Sequence, residues 1–280
     1  MSWLDKIVPS MSRIQRNDRR ASVPDGLWRK CPNCESVLYL PELEKHQNVC
    51  PKCQHHLRLT ARKRLNWFLD AEGREEIAGD LQPSDRLKFR DSKKYADRLK
   101  ESRAKTGEHE AMVVSVGRLG GVEVVIAAQN FGFMGGSMGT VVGEKVALAF
   151  EHASKRKLPV VAVVTSGGSR IQEGLLSLLQ MAKTTVAVNR FAEKRLPFIS
   201  VLANPSTGQA FASFANLADV IVAEPGAIVG FAPMSSLEAS ERRPLPTEAH
   251  TSEAQLENGM IDEVVDRTEL QEMLAQMQSG

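Results

Sequence analysis

The chain has 280 residues, 42% of them hydrophobic, which suits one large core plus a small module. No apolar run approaches the ~18 residues a membrane span needs, and the opening Met1-Ser2-Trp3-Leu4-Asp5-Lys6 lacks the apolar stretch of a signal peptide, so a cytosolic protein is expected. Net charge is only +2, but residues 1–64 hold 13 Lys/Arg against 6 Asp/Glu while the remainder holds 23 against 28; a basic front end on an acidic body points to an anionic partner for the front, such as nucleic acid, a CoA phosphate or an acidic subunit surface.

Residues 1–26 are polar, basic and without periodicity, and read as an arm. Residues 27–56 follow as a zinc ribbon. Cys31, Cys34, Cys50 and Cys53 are spaced C-x2-C-x15-C-x2-C, and each C-x2-C pair aims two thiolates at one point from a tight turn, Pro32-Asn33 or Pro51-Lys52. Four thiolates complete a tetrahedron and leave no open position for water, so one structural Zn2+ per chain is expected. Disulfides are disfavoured in a reducing compartment. With the metal satisfied, His46, His55 and His56 are expected at the surface; His109 and His152, in charged surroundings, are expected there too, and His250 lies in a polar loop.

A helix is predicted over Thr60–Leu69 from the spacing of Leu65, Phe68 and Leu69, and a charged helix over Lys93–Lys105. Strand-like runs Ala111–Val116 and Val122–Ala128 flank Gly120-Gly121, a hairpin signal. The glycine-rich loop 131–139 leads into a helix ending near Lys157. Pro159–Thr165 is mostly β-branched, as a strand buried on both faces should be, and runs into Ser166-Gly-Gly-Ser-Arg170. A long helix, Ile171 to Lys194, carries Leu175, Leu178, Leu179 and Ala182 on one face. Strand 197–203, a short helix over Ala210–Leu217, strands 220–222 and 228–230, and a last helix over Leu270–Gln278 complete the chain. Strand, glycine turn and helix recur, which implies an α/β fold with ligand sites where strands pass into helices.

Two turns stand out, Gly135-Gly136 with Gly139, and Gly167-Gly168. Adjacent glycines before a helix can aim N–H groups at a ligand as an oxyanion hole, or can simply allow close helix–strand packing. The chain has no G-x-x-x-x-G-K-[ST], no G-x-G-x-x-G and no G-x-S-x-G, so neither ATP nor nicotinamide chemistry nor a serine elbow is expected.

Several ordered words carry a resemblance: 21-ASVPDGLW-28, 50-CPKCQHH-56, 89-FRDSKKY-95, 133-FMGGSMG-139, 166-SGGSR-170 and 179-LQMAKT-184. They make the chain similar to the carboxyltransferase β-subunit family of bacterial acetyl-CoA carboxylase. The resemblance implies a crotonase-like domain, a ββα superhelix, over residues 57–280. It implies an α subunit in an α2β2 core, a biotin carboxyl carrier protein that delivers carboxybiotin, and a separate biotin carboxylase that alone uses ATP. The implied reaction moves CO2 to acetyl-CoA and yields malonyl-CoA for fatty acid synthesis. Gly167 and Gly168 match the family's backbone oxyanion hole. Gly135, Gly136, Gly139 and Arg170 would shape the substrate pocket, and Arg58, Arg62 and Arg64 are candidates for CoA phosphates. The match departs at Gly208-Gln209, where an adjacent glycine pair is usual, and again from Met234 to Ser252; both departures bear on acyl preference. The alternatives are a paralogous carboxyltransferase for another acyl-CoA and a non-catalytic scaffold or nucleic-acid-binding subunit that uses the basic ribbon.

Overall fold

The computed structural model describes residues 27–232, 239–240 and 247–278. The expected arm over residues 1–26 lies outside them. No helix among the described residues is long and apolar enough to cross a membrane.

The ribbon is built from β1 (Trp28–Lys30) paired antiparallel with β2 (Val37–Tyr39), then α1 (Leu40–Lys45). Its two cysteine knuckles repeat one hydrogen-bond pattern. Glu35 N–H donates to Cys31 O and Gln54 N–H to Cys50 O, while Cys31 N–H donates to Ser36 O and Cys50 N–H to His55 O. Glu35 and Gln54 take the same positive φ, 58° and 59°. The ribbon's core is small: Cys31, Leu38, Leu43, Cys50 and Leu57.

The body follows with α2 (Ala61–Phe68), β3 (Glu75–Ile77), α3 (Tyr95–Thr106), β4 (Met112–Leu119), β5 (Val122–Gln129), α4 (Thr140–Arg156), β6 (Val160–Ser166) and α5 (Leu175–Ala192). Then come β7 (Phe198–Thr207), β8 (Val220–Ala223), β9 (Val229–Gly230), α6 (Ser252–Glu257), β10 (Glu263–Val264) and α7 (Leu270–Gln278). The main sheet runs β10-β8-β7-β6-β5-β4-β3, with β9 added beside β7. Strands β3, β4 and β5 pair antiparallel; from β5 to β10 the pairing is parallel. The Gly120-Gly121 hairpin is as expected, with both glycines at positive φ.

Alternate residues of these strands enter two cores. Val114, Val125, Val160, Ala162 and Leu202 face α4 and α5, where Val146, Phe150, Val188 and Phe191 meet them. Val113, Val124, Ile126, Val161 and Val201 face α2 and α7 through Leu65, Phe68, Leu270 and Leu274. Burial on both faces explains the unbroken buried, largely β-branched run of β6. Thr60 caps α2, its hydroxyl accepting from Lys63 N–H at 3.3 Å.

Two details differ from the sequence reading, and a third goes beyond it. The long helix begins as a 3-10 turn over Ile171–Glu173, breaks at Gly174 (φ 54°) and resumes at Leu175. The expected helix over 210–217 is turns ending in a short 3-10 segment, Ala215–Leu217. Finally, the leucine face of α5 does not pack inward. Leu175, Leu178 and Leu179 are exposed, while the buried stripe carries Ser177, Gln180, Thr184, Val188 and Phe191. An α-helix with its leucines outward and its hydroxyls inward has an apolar face that the described residues leave uncovered.

Candidate functional site

The four cysteines converge as their spacing requires: the Sγ atoms all lie within 4.8 Å of one another. The Cys31–Cys53 and Cys34–Cys50 sulfurs are 3.7 and 3.8 Å apart. A tetrahedron with Zn–S bonds of ~2.3 Å has sulfurs ~3.8 Å apart, so the donor set fits Zn2+ in both chemistry and dimensions. Burial pushes the Cys50 thiol up to about 11, and bonds from Ser36 bring Cys34 down to about 6.

Beside the metal site, the ribbon is fastened to the body through charge. Arg267 donates Nη1 to Gln47 O and Leu57 O, at 2.9 and 2.8 Å, and grips both Glu224 oxygens at 2.8 and 2.6 Å. Arg64 Nη1 reaches the same carboxylate at 2.5 Å. His56, expected at the surface, is 5% exposed, with Nε2 2.9 Å from Asp266 Oδ2 and Nδ1 3.8 Å from Glu224. Burial by itself would raise the Glu224 carboxyl; the flanking Arg64 and Arg267 charges outweigh it and hold the group well below the usual carboxylate range. Arg64 is therefore in the interior rather than at a phosphate, and Arg62 is clamped by Glu76 and Glu108. Of the three arginines expected to meet phosphate, Arg58 and Arg62 stay exposed; Arg62 is paired with two carboxylates, whereas the Arg58 guanidinium lies 4.1 Å from the Phe131 ring centroid.

The glycine turns sit side by side at the C-terminal ends of β5 and β6, the position where open α/β sheets bind ligands. A parallel bridge joins them: Met138 N–H donates to Gly168 O at 2.8 Å and Arg170 N–H to Met138 O at 3.0 Å. The resulting cleft, of about 480 Å³, is bordered by Met134, Gly135, Ser137, Gly167, Ser169 and Ile171. A neighbouring cleft shares Met134 and Gly135 and extends to Arg58, Lys105 and Phe131.

The expected site residues divide. Gly135 and Gly167 border the cleft. Gly136 and Gly139 are buried and serve packing. A Cβ at Gly136 (φ 64°) would collide with the Thr165 carbonyl, and one at Gly139 would lie 2.6 Å from Glu173 Oε1. The N-terminus of α4 is taken as well, since Thr140 N–H donates to Glu173 Oε2 at 2.7 Å. Nor do both N–H groups of Gly167-Gly168 point free into the cleft. Gly167 N–H donates to Gly135 O at 2.9 Å, and Gly168 N–H to the Ser166 hydroxyl at 3.1 Å.

Arg170 was expected at the substrate. Its side chain is instead fully buried, with Nη2 2.6 Å from Glu110 Oε1, Nε 2.6 Å from Ser137 Oγ, Nη2 2.7 Å from Ser137 O, and Nη1 3.1 Å from the Tyr95 hydroxyl. Tyr95 in turn donates to Glu173 at 2.7 Å. Burial opposes the guanidinium's charge, but Glu110 more than offsets it and holds Arg170 protonated. This network pins the first glycine loop to the second from beneath. Tyr95 closes the word 89–95 that carries the resemblance, but Glu110 and Glu173 are single acidic residues that no pattern in the sequence marks.

Residues 84–240 match the carboxyl transferase domain family, and residues 28–53 match the acetyl-CoA carboxylase zinc finger domain. The first match covers more than half of the chain and runs ten residues past Gly230, into the segment where the resemblance had faltered. Solved structures share the fold. A transcarboxylase 12S hexamer with hydrolysed methylmalonyl-coenzyme A aligns with TM-score 0.66 at 23% identity, over 85% of this chain and 42% of its own. A Pseudomonas malonate decarboxylase hetero-dimer gives 0.61 at 23% identity, over 79% and 86%. The beta subunit of P. aeruginosa geranyl-CoA carboxylase gives 0.63 at 18%, over 86% and 42%. The chain thus spans about two-fifths of the transcarboxylase chain it aligns with.

Proposed function

Because the chain belongs to the carboxyl transferase domain family and carries an acetyl-CoA carboxylase-type zinc ribbon, we propose that it is the β-type subunit that moves CO2 from carboxybiotin on a carrier protein to acetyl-CoA. The observation that carries this reading is the pair of bridged glycine turns at the ends of β5 and β6, opening on a cleft that leads to Arg58. As the α-carbon of the thioester loses its proton and takes up CO2, negative charge gathers on the thioester oxygen, and a backbone N–H is the group suited to meet it. Gly168 is the donor we assign. Its N–H is held only by the rotatable Ser166 hydroxyl, whereas the Gly167 N–H is committed to the backbone of the neighbouring turn. Arg58, backed by Phe131, and Lys105 would receive the CoA phosphates at the outer end.

The rest of the site comes from a second crotonase-like domain on an α subunit, in an α2β2 core. Two observations support this: the chain matches only part of the transcarboxylase length, and Ile171 and Leu175, beside the cleft, are 66% and 68% exposed. ATP is used by a separate biotin carboxylase in this reading.

Co-expression with candidate α subunits, followed by a carboxylation assay across acyl-CoAs in which biotin carboxylase, ATP and bicarbonate supply the carboxybiotin, tests it. The complex should form malonyl-CoA and the isolated chain should be nearly inactive. Turnover confined to another acyl-CoA would favour the paralogous enzyme. No turnover with any α subunit, together with DNA or RNA binding that weakens steeply with salt, would replace the reading by a nucleic-acid-binding one.

A further inference from the structure

The end of β7 is laced to the end of β6 by side chains. Ser206 Oγ lies 2.8 Å from Val164 O and 2.7 Å from Ala203 O, and Thr207 Oγ1 donates to Ser166 O at 3.1 Å. At Gly208 the loop backbone touches the glycine turn: a Cβ built there would lie 2.9 Å from Gly168 Cα. The next residue, Gln209, is 4% exposed. Its Oε1 accepts from the Ser169 hydroxyl at 2.5 Å and lies 3.3 Å from Ser177 Oγ, and its Nε2 donates to the Ser177 carbonyl in the first turn of α5.

The hydrogen-bond inventory narrows what this amide does. A serine hydroxyl has one hydrogen to give. That of Ser177 goes to Met138 O at 2.6 Å, the shorter of its two options, so the hydrogen-bonding partner of Gln209 Oε1 is Ser169. Ser169 follows Gly168 directly and lines the cleft. The Gln209 amide thus joins the residue after the glycine turn to the start of α5, with oxygen and nitrogen both used and no route to solvent.

We propose that Gln209 is a positioning residue for this site: by holding Ser169 against Ser177 it fixes the orientation of the Gly168 N–H relative to the cleft. The proposal rests on the function read above, in which Gly168 is the donor. A peptide plane free to tilt would leave ground-state binding nearly intact and weaken the contact made as charge develops. Misplacement by about an ångström costs on the order of a hundredfold in rate.

The test uses the full zinc-loaded chain in its complex with the α subunit. Gln209→Leu keeps the volume and removes both hydrogen bonds. It should lower kcat by about a hundredfold and leave KM for the acyl-CoA within about twofold. Gln209→Glu supplies the control that a merely structural role would not move. Buried beside the Ser177 carbonyl, its carboxyl is driven toward the neutral acid, which can accept from Ser169 and donate to Ser177 as the amide does. Its kcat should approach the native value at low pH and fall as pH rises, while the native profile lacks that added limb. Hydrogen exchange read on the peptide covering 166–177 gives a measure independent of turnover; in Gln209→Leu it should quicken at least tenfold there and not in β6. If kcat in Gln209→Leu stays within about threefold of native, or exchange over 166–177 is unchanged, the proposal is wrong. If the native complex carboxylates no acyl-CoA, the functional reading fails instead, and the exchange result alone decides whether Gln209 holds the turn.

Discussion

The ribbon and the body reach a fixed shape by different means. The body has two cores, one on each face of a sheet of eight strands, and buried aromatic and β-branched side chains from nearly every element supply its stability. The ribbon has a core of five residues, two of which are cysteines. Removing so little apolar surface from water does not offset the entropy of ordering some thirty residues. Four thiolates around one cation make up the difference, and the Arg267–Glu224–Arg64 cluster fastens the result to the body. A region stabilised by a few strong, localised interactions fails when one is removed, whereas a distributed core absorbs single losses. Each prediction below tests that contrast.

The largest effect is expected from the metal. Apparent binding energies of structural Zn2+ are about 10–16 kcal/mol, more than a core this small could replace. Chelation, or Cys50→Ala, should therefore unfold the ribbon while the body keeps its secondary structure. Limited proteolysis should then cut before about residue 58 and spare the rest, with far-ultraviolet circular dichroism largely preserved. Global unfolding at the same chelator concentration would show that the two regions share one cooperative unit, and protein purified without zinc would remove the premise.

Next comes the seam. Glu224→Ala leaves Arg64 and Arg267 buried without their counter-charge, a loss of about 3–5 kcal/mol. At roughly 2–4 °C per kcal/mol for a chain of this size, Tm should fall by about 10 °C. The pH dependence has a definite sign. The folded Glu224 carboxyl lies well below its ordinary value of 4.5, so its contribution is fully present above that value and lost as pH falls through the depressed one. Native stability should decline on acidification below about pH 4.5, and the Glu224→Ala variant should show a shallower acid limb. Identical limbs in the two proteins would show that this buried carboxylate does not set acid stability.

The same contrast explains what could be read from sequence. The metal ligands sit within one short segment, so their spacing alone declares the site. The cleft is assembled from positions 135, 167 and 169, which only the sheet order brings together. The glycines are visible in the sequence, but their divided use is not: Gly136 and Gly139 pack while Gly135 borders the cleft, because that depends on where Thr165 O and Glu173 lie. His56 misled because its partners, Asp266 and Glu224, come from the far end of the chain. The α5 leucines have helical spacing whether the face meets a core or a partner, so periodicity located the helix and could not assign the face. Strands and helices of the body were legible because burial on both faces leaves a continuous, largely β-branched run in β6 and a regular apolar stripe in α4.

A smaller effect in free energy, but a large one in rate, is expected in the body's glycine turn. Gly168 has φ 115°, and an added Cβ would meet only Gly208 Cα, at 3.9 Å. Gly168→Val is thus strained rather than obstructed, and its N–H should tilt while both cores persist. Loss of one such donor costs about 10²–10³ in kcat, near 3–4 kcal/mol, against a stability loss of about 1–3 kcal/mol for the strain. Turnover and thermal unfolding measured on one preparation of the assembled complex separate the two. If the variant melts far earlier and its folded fraction turns over normally, Gly168 is a packing residue and the assignment of its N–H fails.

The smallest effect should come from the seam's outer contact. Asp266 is 30% exposed at its side chain, and its carboxylate accepts from Thr268 N–H and Oγ as well as meeting His56 at 2.9 Å. Burial would raise this carboxyl, but the Thr268 and His56 contacts hold it below its ordinary value of 3.8. Partly exposed pairs are screened by solvent and contribute about 0–1 kcal/mol. Asp266→Asn keeps the shape and an acceptor oxygen, so Tm should fall by no more than about 3 °C, with zinc retained. What separates this contact from Glu224 is burial and the two buried arginines that Glu224 neutralises, although both carboxylates belong to one cluster around His56. If Asp266→Asn destabilises the chain as much as Glu224→Ala does, the ribbon is held at its rim. The interior charge cluster would then be an adjunct to that rim.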